Sequence, residues 1–573
     1  MITITMIEFI NESEILKFIL AFVCMCFIIL IISLYQNIKH QKMIRRQIVE
    51  QFGKSIDVEE SMINMKSVSS FYRNSSCGLG EVDDITWNDL NMNDIYKKIN
   101  NTQSTAGSEM LYVILRETIS DLKTLTKRDE IIEFFRNNAE ERFKVQYLLA
   151  KLGINKDMYS TNCLYNEMDN EKSNIWLNRF LTILPFVFVG LMVVWKWFLY
   201  GAILSLVFNV TFAMRKRVKK INVDGYKYMI KLINITNSIK RLDLEILNEN
   251  MYQIDNDLKK LESIKSINID SNTNNLMAEF NILTEYTNLL FLRELRKYEI
   301  VKDRIMKNQD NLIRIYRCIG EIDALIAVAS FRNSLNYYTK PKLFKSNSQD
   351  ENKMEFEGIY HPLISSPVVN SGNFSRGILI TGSNASGKST FIKTVAINAI
   401  LAQTIYTTCS TKYTSSLFDI YTSMALKDDI LSSESYFMVE IKSLKRIVEN
   451  ANNQKPILCF VDEILRGTNT IERIASSCEV LKYLGSGNTI CFAATHDVEL
   501  TQLLEDQYEN YHFEENITDK DIKFDYKLHK GRAQSRNAIK LLEFMGYSLN
   551  ILKNATNRAN KFIESGKWDN YKN

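Results

Sequence analysis

The chain has 573 residues and a mass of 66.6 kDa, which exceeds one ordinary domain and suffices for about three or four. Charged residues make up 24% and hydrophobic residues 46%, and this globular composition excludes a disordered or fibrous protein. The net charge of +4, from 71 basic and 67 acidic residues, excludes a strongly cationic nucleic-acid coat protein. It leaves room for a small DNA-binding surface.

The rare residue types narrow the class further. Five prolines leave few helix breakers, so we expect a helix-rich protein. The nine cysteines include no CxxC pair and no framework spacing, which favours reduced thiols in the cytosol. The five histidines are scattered and form no metal-ligand cluster, which argues against a metalloenzyme.

The first apolar segment predicts a membrane span over residues 15–36, after an extracytoplasmic N-terminus of residues 1–14. Its centre, Phe18–Leu34, carries no charge. A cleaved signal peptide is the alternative. Acidic rather than basic residues precede the segment and no small-residue cleavage pattern follows, so we expect an anchor.

A second apolar block, residues 180–214, has the length of two spans. We predict Phe180–Trp195 and Trp197–Met214, joined by a tight turn in which tryptophans flank Lys196 at the membrane boundary. The alternative is a buried hairpin of a soluble core. Such a helix seldom lacks a polar face over this length, so we favour the membrane.

Basic residues predict the orientation of the three spans. They follow the first span and the last, whereas only Lys196 occupies the proposed outer turn. The positive-inside rule therefore places the N-terminus outside and everything large in the cytosol, as expected of a multi-pass protein of the cell membrane. Anionic lipid headgroups are a further possible contact for these clusters: Lys39, Lys42, Arg45, Arg46, Arg215, Lys216, Arg217, Lys219 and Lys220.

Helical periodicity continues on both sides of the apolar block. A cytosolic linker, residues 37–84, leads to core helices over 85–179, and further core and lever helices occupy 215–350. Two long helices are predicted, at 218–267 and 277–331. With roughly fifty residues each, they would form rods of roughly 75–80 Å. A plain coiled-coil spacer is the alternative.

The C-terminal part, residues 351–573, predicts an α/β domain with a phosphate-binding loop. The apolar strand Gly377–Thr381 precedes a GxxxxGK[ST] pattern, and a helix follows. Backbone N–H groups of such a loop bind phosphate together with the helix N-terminus. Lys388 would reach the β- and γ-phosphates, and Ser389 would ligate Mg²⁺. The loop residues are Gly382, Ser383, Asn384, Ala385, Ser386, Gly387, Lys388, Ser389 and Thr390.

Two further strands end in polar residues. The apolar run Ile457–Val461 is typical of a strand buried on both faces, and Asp462 and Glu463 follow it. We expect Asp462 to hold Mg²⁺ and Glu463 to polarise the attacking water. The strand at 489–494 ends before His496, which we expect at the γ-phosphate. Parallel strands present their carboxyl ends at one edge, so an ATPase site is predicted there.

These motifs resemble those of the MutS-family ATPases, within the wider ABC-type class. TGSNASGKST (381–390) resembles the family's P-loop, VDEILRGTNT (461–470) its Walker B segment, and AATHDVELT (493–501) its histidine switch. SYFMVE (435–440) resembles the signature stretch. The resemblance implies that Ser435 contacts ATP bound to a partner subunit, and therefore a homodimer. A helix N-cap is the alternative role for Ser435.

The resemblance extends upstream, with departures. DLNMNDIY (89–96), NTQSTAG (101–107) and GEIDAL (320–325) resemble the family's core domain and lever ends. The family's mismatch-reading and connector domains find no room in residues 1–84. Phe513-x-Glu515 and Phe562-x-Glu564 lie in the ATPase part, and we interpret their likeness to the mismatch wedge as coincidence.

The sequence therefore predicts a membrane-anchored MutS-type ATPase that uses ATP and Mg²⁺, acts as a dimer and binds mismatched, damaged or branched DNA. The alternative is an ABC-type ATPase that drives transport or mechanotransmission without DNA. A scaffold with an inactive ATPase is disfavoured, because Lys388, Ser389, Asp462, Glu463 and His496 are all present.

Overall fold

The computed structural model of the chain combines a helical part with a C-terminal α/β part, as predicted. It describes residues 27–28, 31–32, 34–36, 38–59, 63–75, 81–154, 162–165, 175–218, 223–265, 290–346, 351–383, 386–424, 436–451, 455–518, 521–533, 538–566 and 568. One hydrophobic core extends from Trp87 and Tyr96 in the helical part to Phe391 and Phe460 in the α/β part.

The helical part is organised around the helix Gln309–Ser334, whose middle is fully buried. The helices in chain order are 38–51, Met65–Val68, Ser70–Asn74, Asp84–Asp89, Met92–Ile99, Thr105–Arg116, Leu122–Asn137, Ala139–Leu152, Asn162–Tyr165, Ile175–Leu191, Phe198–Val218, Val223–Lys240, Asn248–Lys260, Glu262–Lys265, Arg293–Lys307 and Gln309–Ser334, with a 3₁₀ turn at Glu245–Leu247.

The helices Thr105–Arg116 and Gln309–Ser334 approach each other closely. A Cβ atom on Gly320 would lie 2.5 Å from the carbonyl oxygen of Ala106, so only glycine fits there. Asp323, one turn further along, accepts hydrogen bonds from Ser104 N (2.8 Å) and Ser104 Oγ (2.5 Å). Two of the upstream stretches singled out by the sequence, 101–107 and 320–325, thus pack against each other.

The prediction of two uninterrupted lever helices is wrong within the described residues. The first helix ends at Lys240, Asp243 adopts a left-handed φ of 49°, and the chain resumes at Asn248–Lys260. The second is divided at Asn308, and its longer piece has 26 residues, about 39 Å. The break at residue 243 lets Met251, Ile254 and Leu258 bury their side chains, so tertiary packing overrides the helical periodicity.

The predicted apolar hairpin is present but its helices have other bounds. They are Ile175–Leu191 and Phe198–Val218, and the first ends before Trp195. Of the described residues, one helix is long and apolar enough to cross a membrane, Phe198–Arg215, and Trp176–Leu191 is shorter. The prediction of three spans is corrected accordingly. The first turns of the shorter helix are partly polar, and Asn178 Nδ2 donates to Glu299 Oε1 (2.6 Å). The predicted span 15–36 lies mostly outside the described residues.

The α/β part contains two sheets. The strands in chain order are β1 Lys342–Phe344, β2 Met354–Ile359, β3 Asn370–Phe374, β4 Gly377–Thr381, β5 Lys412–Ser416, β6 Asp419–Ser423, β7 Ile457–Asp462, β8 Thr489–Ala494, β9 Tyr508–Thr518 and β10 Asp521–Lys530. The four-stranded sheet has the order β1-β5-β2-β3. The six-stranded sheet has the order β10-β9-β4-β8-β7-β6 and is parallel except for the β9–β10 hairpin.

The three strands predicted from the sequence, β4, β7 and β8, are adjacent at the centre of this sheet. Their residues are fully buried, which explains their continuous apolar sequences. The helices of this part are Lys388–Ile405, Tyr436–Asn450, Thr470–Ser486, Leu500–Leu503, Ala538–Phe544 and Leu549–Ser565.

The helical part contacts the α/β part at both of its sides. Asp89 accepts hydrogen bonds from Thr422 Oγ1 (2.7 Å) and Met424 N (3.0 Å) at the end of β6. On the other side, Arg332 donates to the carbonyl oxygens of Ile405 (3.3 Å) and Tyr406 (2.9 Å). The latter contact ties the central helix to the end of the helix that follows the glycine-rich loop.

Candidate functional site

The glycine-rich loop turns sharply between β4 and the helix Lys388–Ile405. Gly382 and Gly387 have φ values of 141° and 102°, which side chains disfavour. A Cβ atom on Gly382 would also lie 2.9 Å from Ser386 Oγ. The loop therefore needs its glycines, as predicted. Asn384 and Ala385 lie outside the described residues.

The lysine of the loop is buried and bound to the loop itself. Lys388 Nζ donates to the carbonyl oxygens of Gly382 and Ser383, both at 2.7 Å. Burial lowers the pKa of Lys388 to about 8, against the opposing influence of Glu463 and Asp462. The ammonium group is thus held at the mouth of the loop by two neutral carbonyl oxygens, which the oxygens of an anion would replace.

Two hydroxyl groups of the loop, those of Ser383 and Ser386, are hydrogen-bonded, whereas Ser389 and Thr390 are accessible to solvent. Ser386 Oγ donates to Ser383 O (2.7 Å), and Ser383 Oγ donates to Glu515 Oε2 (2.6 Å) on β9. Ser389 and Thr390 occupy the first turn of the helix and are partly or fully accessible. The Phe513-x-Glu515 pattern is thus part of the loop's surroundings, since Phe513 also packs against Phe391.

Asp462 ends β7, at the same edge of the sheet as the loop. Its side chain is 7% exposed, and its Oδ1 atom is buried with no hydrogen-bond partner among the described residues. A buried carboxylate oxygen without a partner is costly unless a cation or donor completes it. Together with a hydroxyl at position 389, carboxylate oxygen is the donor set that Mg²⁺ prefers.

Glu463 and His496 are in hydrogen-bonding contact at this edge. His496 Nε2 lies 2.8 Å from Glu463 Oε1, and Arg466 binds the other carboxylate oxygen. Burial raises the pKa of Glu463, but the hydrogen bonds from His496 and Arg466 outweigh it and the pKa is lowered. The carboxylate is therefore kept ionised. The contact of His496 with Glu463 was not predicted from the sequence.

Residues beyond the motifs hold the strand ends in place. Thr495 N donates to Ile380 O (3.0 Å), which fixes the segment after β8 beside β4. Arg473 on the helix Thr470–Ser486 binds both oxygens of Asp497, at 2.9 and 2.6 Å. Such contacts join residues far apart in the sequence, and no local pattern identifies them.

A cavity of about 280 Å³ opens beside the loop. It is lined mostly by apolar side chains, and burial lowers the pKa of His361 at its wall to about 4. Its size and lining suit a planar apolar group such as a nucleobase. Of the residues that line this cavity, only Gly387 and Thr390 belong to the loop predicted from the sequence. The residues that line it include Ile359, His361, Val368, Thr390, Phe513 and Tyr526.

Ser435, predicted to act on a partner's ATP, lies outside the described residues. The helix Tyr436–Asn450 begins at the next residue. Its Glu440 accepts a hydrogen bond from the backbone N–H of Leu465, in the turn that follows Asp462 and Glu463. The signature stretch thus contacts the Walker B segment of the same chain.

Comparison with known proteins identifies the region that carries this site. Residues 378–563 match the family model MutS domain V. The match contains all the predicted catalytic and loop residues, and it supports at family level the resemblance predicted for them. His361 and strands β1–β3 precede the region matched to MutS domain V.

Curated relatives agree with this match. The chain is 31% identical over 298 residues to "DNA mismatch repair protein MutS" of Clostridium botulinum strain Hall, covering 49% of this chain and 30% of the relative. It is 29% identical over 289 residues to the protein of the same name from Fusobacterium nucleatum, covering 47% and 31%. The chain thus spans less than a third of the length of these MutS proteins.

Proposed function

We propose that this protein is a membrane-anchored ATPase of the MutS type that binds MgATP, hydrolyses it as a dimer and binds DNA. One observation carries the ATPase proposal. Lys388, the Glu463–His496 pair and Asp462, whose Oδ1 atom has no hydrogen-bond partner among the described residues, occupy one edge of the sheet's parallel strands. A lysine, a carboxylate with an available oxygen and an ionised base at the carboxyl ends of neighbouring strands are the groups that binding and hydrolysis of MgATP require.

Binding begins at the glycine-rich loop. Its backbone N–H groups and the helix N-terminus attract phosphate, and Lys388 would exchange the carbonyls of Gly382 and Ser383 for phosphate oxygens. The apolar cavity beside Gly387 would take the nucleobase. This loop and its neighbours would therefore bind the phosphates, orient them and exclude water from them.

Hydrolysis needs a base beside the phosphate end. Glu463, kept ionised by His496 and Arg466, would accept the proton of the attacking water. Ser389 and Asp462 are the residues that would hold Mg²⁺, which neutralises phosphate charge and orients the reacting group. Before the reaction, His496 would hold the Glu463 carboxylate in position. When that carboxylate turns towards the attacking water, His496 would reach the terminal phosphate.

The dimer proposal rests on Ser435 and on the C-terminal helices. A residue that acts on a partner's ATP requires two ATPase regions face to face. The helices Ala538–Phe544 and Leu549–Ser565 and the turn between them expose Met545, Leu549 and Ile551, an apolar surface of the kind that subunit contacts cover. Analytical ultracentrifugation of the detergent-solubilised protein with and without MgATP tests the dimer.

The DNA proposal rests on the relatives, which are named for DNA mismatch repair. It is tested by measuring ATPase activity with homoduplex, mismatched and branched DNA at two salt concentrations, because phosphate contacts weaken as salt rises. Failure of every DNA to bind or to change the activity would contradict DNA binding and leave the ATPase proposal intact.

Membrane anchoring rests on the apolar hairpin. Trp195 and Trp197 at its tip are 64% and 68% exposed, and aromatic side chains of this kind favour the membrane–water interface. We propose that the apolar hairpin inserts in the cell membrane, with the core and ATPase regions in the cytosol. Alkaline carbonate extraction of membranes, compared with a variant lacking residues 176–214, tests insertion.

A second candidate function is mechanotransmission to the membrane, and one contact favours it. Asn209, in the middle of an apolar helix, donates to the carbonyl oxygens of Leu181 (3.0 Å) and Leu290 (2.9 Å). Thr182 donates to Phe291 O (3.1 Å). The hairpin is thereby attached to the start of the helix Arg293–Lys307, so motion of the lever region would move it.

The ATPase proposal is tested with full-length protein in detergent. Wild type should hydrolyse ATP only with Mg²⁺, and Lys388→Ala should lose ATP binding. Lys445→Ala is the matched control, because Lys445 is an exposed lysine of the same region that pairs only with Glu449 among the described contacts. Equal ATP binding by wild type and Lys388→Ala would contradict the assigned site.

A further inference from the structure

The turn after β7 has an unfavourable backbone conformation. Glu463 and Leu465 both have a φ of 57°, in the left-handed region that residues with side chains seldom occupy. Such a conformation is strained and persists only where the surroundings enforce it. The orientation of the Glu463 carboxylate therefore depends on contacts that hold this turn.

Two segments hold the turn. From the sheet, Ala494 O accepts a hydrogen bond from Glu463 N (2.9 Å). From the helix Tyr436–Asn450, the Glu440 carboxylate accepts from Leu465 N, and Phe437 packs over Gly467, where a Cβ atom would lie 3.1 Å from its ring. Both helix residues therefore contact the turn.

A carboxylate such as that of Glu440 is costly to bury in such a contact. Its side chain is half-buried, and burial raises its pKa despite the backbone N–H groups of Leu465 and Arg466. Its Oε2 atom is buried without a hydrogen-bond partner among the described residues. An apolar residue would avoid this desolvation cost, so the carboxylate is explained by the N–H groups that it accepts.

We propose that Glu440 is a positioning residue, which holds the turn 463–466 so that Glu463 faces the reacting water. The proposal rests on the proposed ATPase function and deepens it. The helix of Glu440 begins directly after Ser435, so the segment predicted to contact a partner's ATP is continuous with the residue that positions this subunit's own Glu463.

The kinetic test compares Glu440→Ala, Glu440→Gln and Glu449→Ala in the full-length protein. Glu440→Ala removes the acceptor and should lower kcat by about tenfold to a hundredfold with KM changed by about twofold or less, because misplacement of the base affects chemistry rather than binding. Glu440→Gln keeps an acceptor oxygen and should restore most of the activity. Glu449, an exposed glutamate of the same helix, is the control and should leave kcat unchanged.

Hydrogen exchange measures the same contact without turnover. In Glu440→Ala the amides of Leu465 and Arg466 should exchange about tenfold faster, while Glu440→Gln and Glu449→Ala retain the wild-type rate. An inactive wild type would contradict the proposed ATPase function and leave this readout to decide the role of Glu440. Unchanged exchange in Glu440→Ala, or failure of Glu440→Gln to restore protection, would overturn the proposal.

Discussion

Two buried aspartates show how the α/β part differs from the helical part. Asp323, in the helical part, accepts hydrogen bonds from Gln103 N, Ser104 N and Ser104 Oγ. Asp462, at the sheet edge, leaves its Oδ1 atom without a partner among the described residues. Asp323 therefore has the hydrogen bonds of a carboxylate that holds helices together, whereas Asp462 keeps an oxygen that a metal ion would complete.

Substitution of each aspartate by asparagine should separate these roles most strongly. Asp462→Asn should lower MgATP hydrolysis by about 10²–10³-fold, because the charge that holds the metal is lost, with little change in stability. Asp323→Asn should lower the free energy of unfolding by about 1–3 kcal/mol. Steady-state hydrolysis and denaturant unfolding of both variants measure this. Equal losses of stability would remove the distinction.

Substitution of the buried Arg332 should have the next largest effect, which is a loss of stability. It binds Asp129 (2.6 Å) and Glu133 (2.7 Å) as well as the carbonyls after the loop helix. Arg332→Met should destabilise the protein by about 3–5 kcal/mol, because buried charges and carbonyls lose their partner. The exposed Lys307, which pairs with exposed Asp303 on the same helix, is the control, and Lys307→Met should cost about 1 kcal/mol or less. Comparable losses in the two variants would contradict this assignment.

The pH dependence of ATP binding follows from Lys388. Its pKa is lowered to about 8 by burial, so the ammonium is present below that pH and is lost above it. Phosphate binding needs the ammonium. The Kd for MgATP, measured with Glu463→Gln to suppress turnover, should therefore be constant near neutral pH and weaken above pH 8 by up to about tenfold per pH unit. A constant Kd up to about pH 9.5 would show that Lys388 stays charged in the free protein.

Substitution of Asn209 should have the smallest effect, a local increase in the rate of hydrogen exchange. Asn209→Leu removes the donor to Leu181 O and Leu290 O, worth about 1 kcal/mol, so amides near the start of the helix Arg293–Lys307 should exchange about fivefold faster. Thr211→Ala is the control, because Thr211 is exposed and bonds only within its own helix among the described contacts. If the variant exchanges like wild type, the hairpin is not attached to the lever region through this residue.

The sequence predicts the site better than it predicts the helical part. Strands β4, β7 and β8 follow from apolar runs and the loop from its glycines, because these signals depend on neighbouring residues. The bond from Ser383 to Glu515 and the pair Glu463–His496 join residues distant in sequence, so no local pattern reveals them. The break at Asp243 was also unpredictable, because burial of Met251 and Leu258 decided it.

Comparison of wild type with Glu463→Gln tests most directly whether the sheet edge hydrolyses ATP. Glutamine keeps the size of the side chain and removes its ability to accept a proton. MgATP binding should stay within about twofold of wild type while kcat falls by about 10²–10⁴-fold, and the ATP-bound dimer should persist. Hydrolysis by Glu463→Gln at the wild-type rate would contradict the assignment of Glu463 as the base.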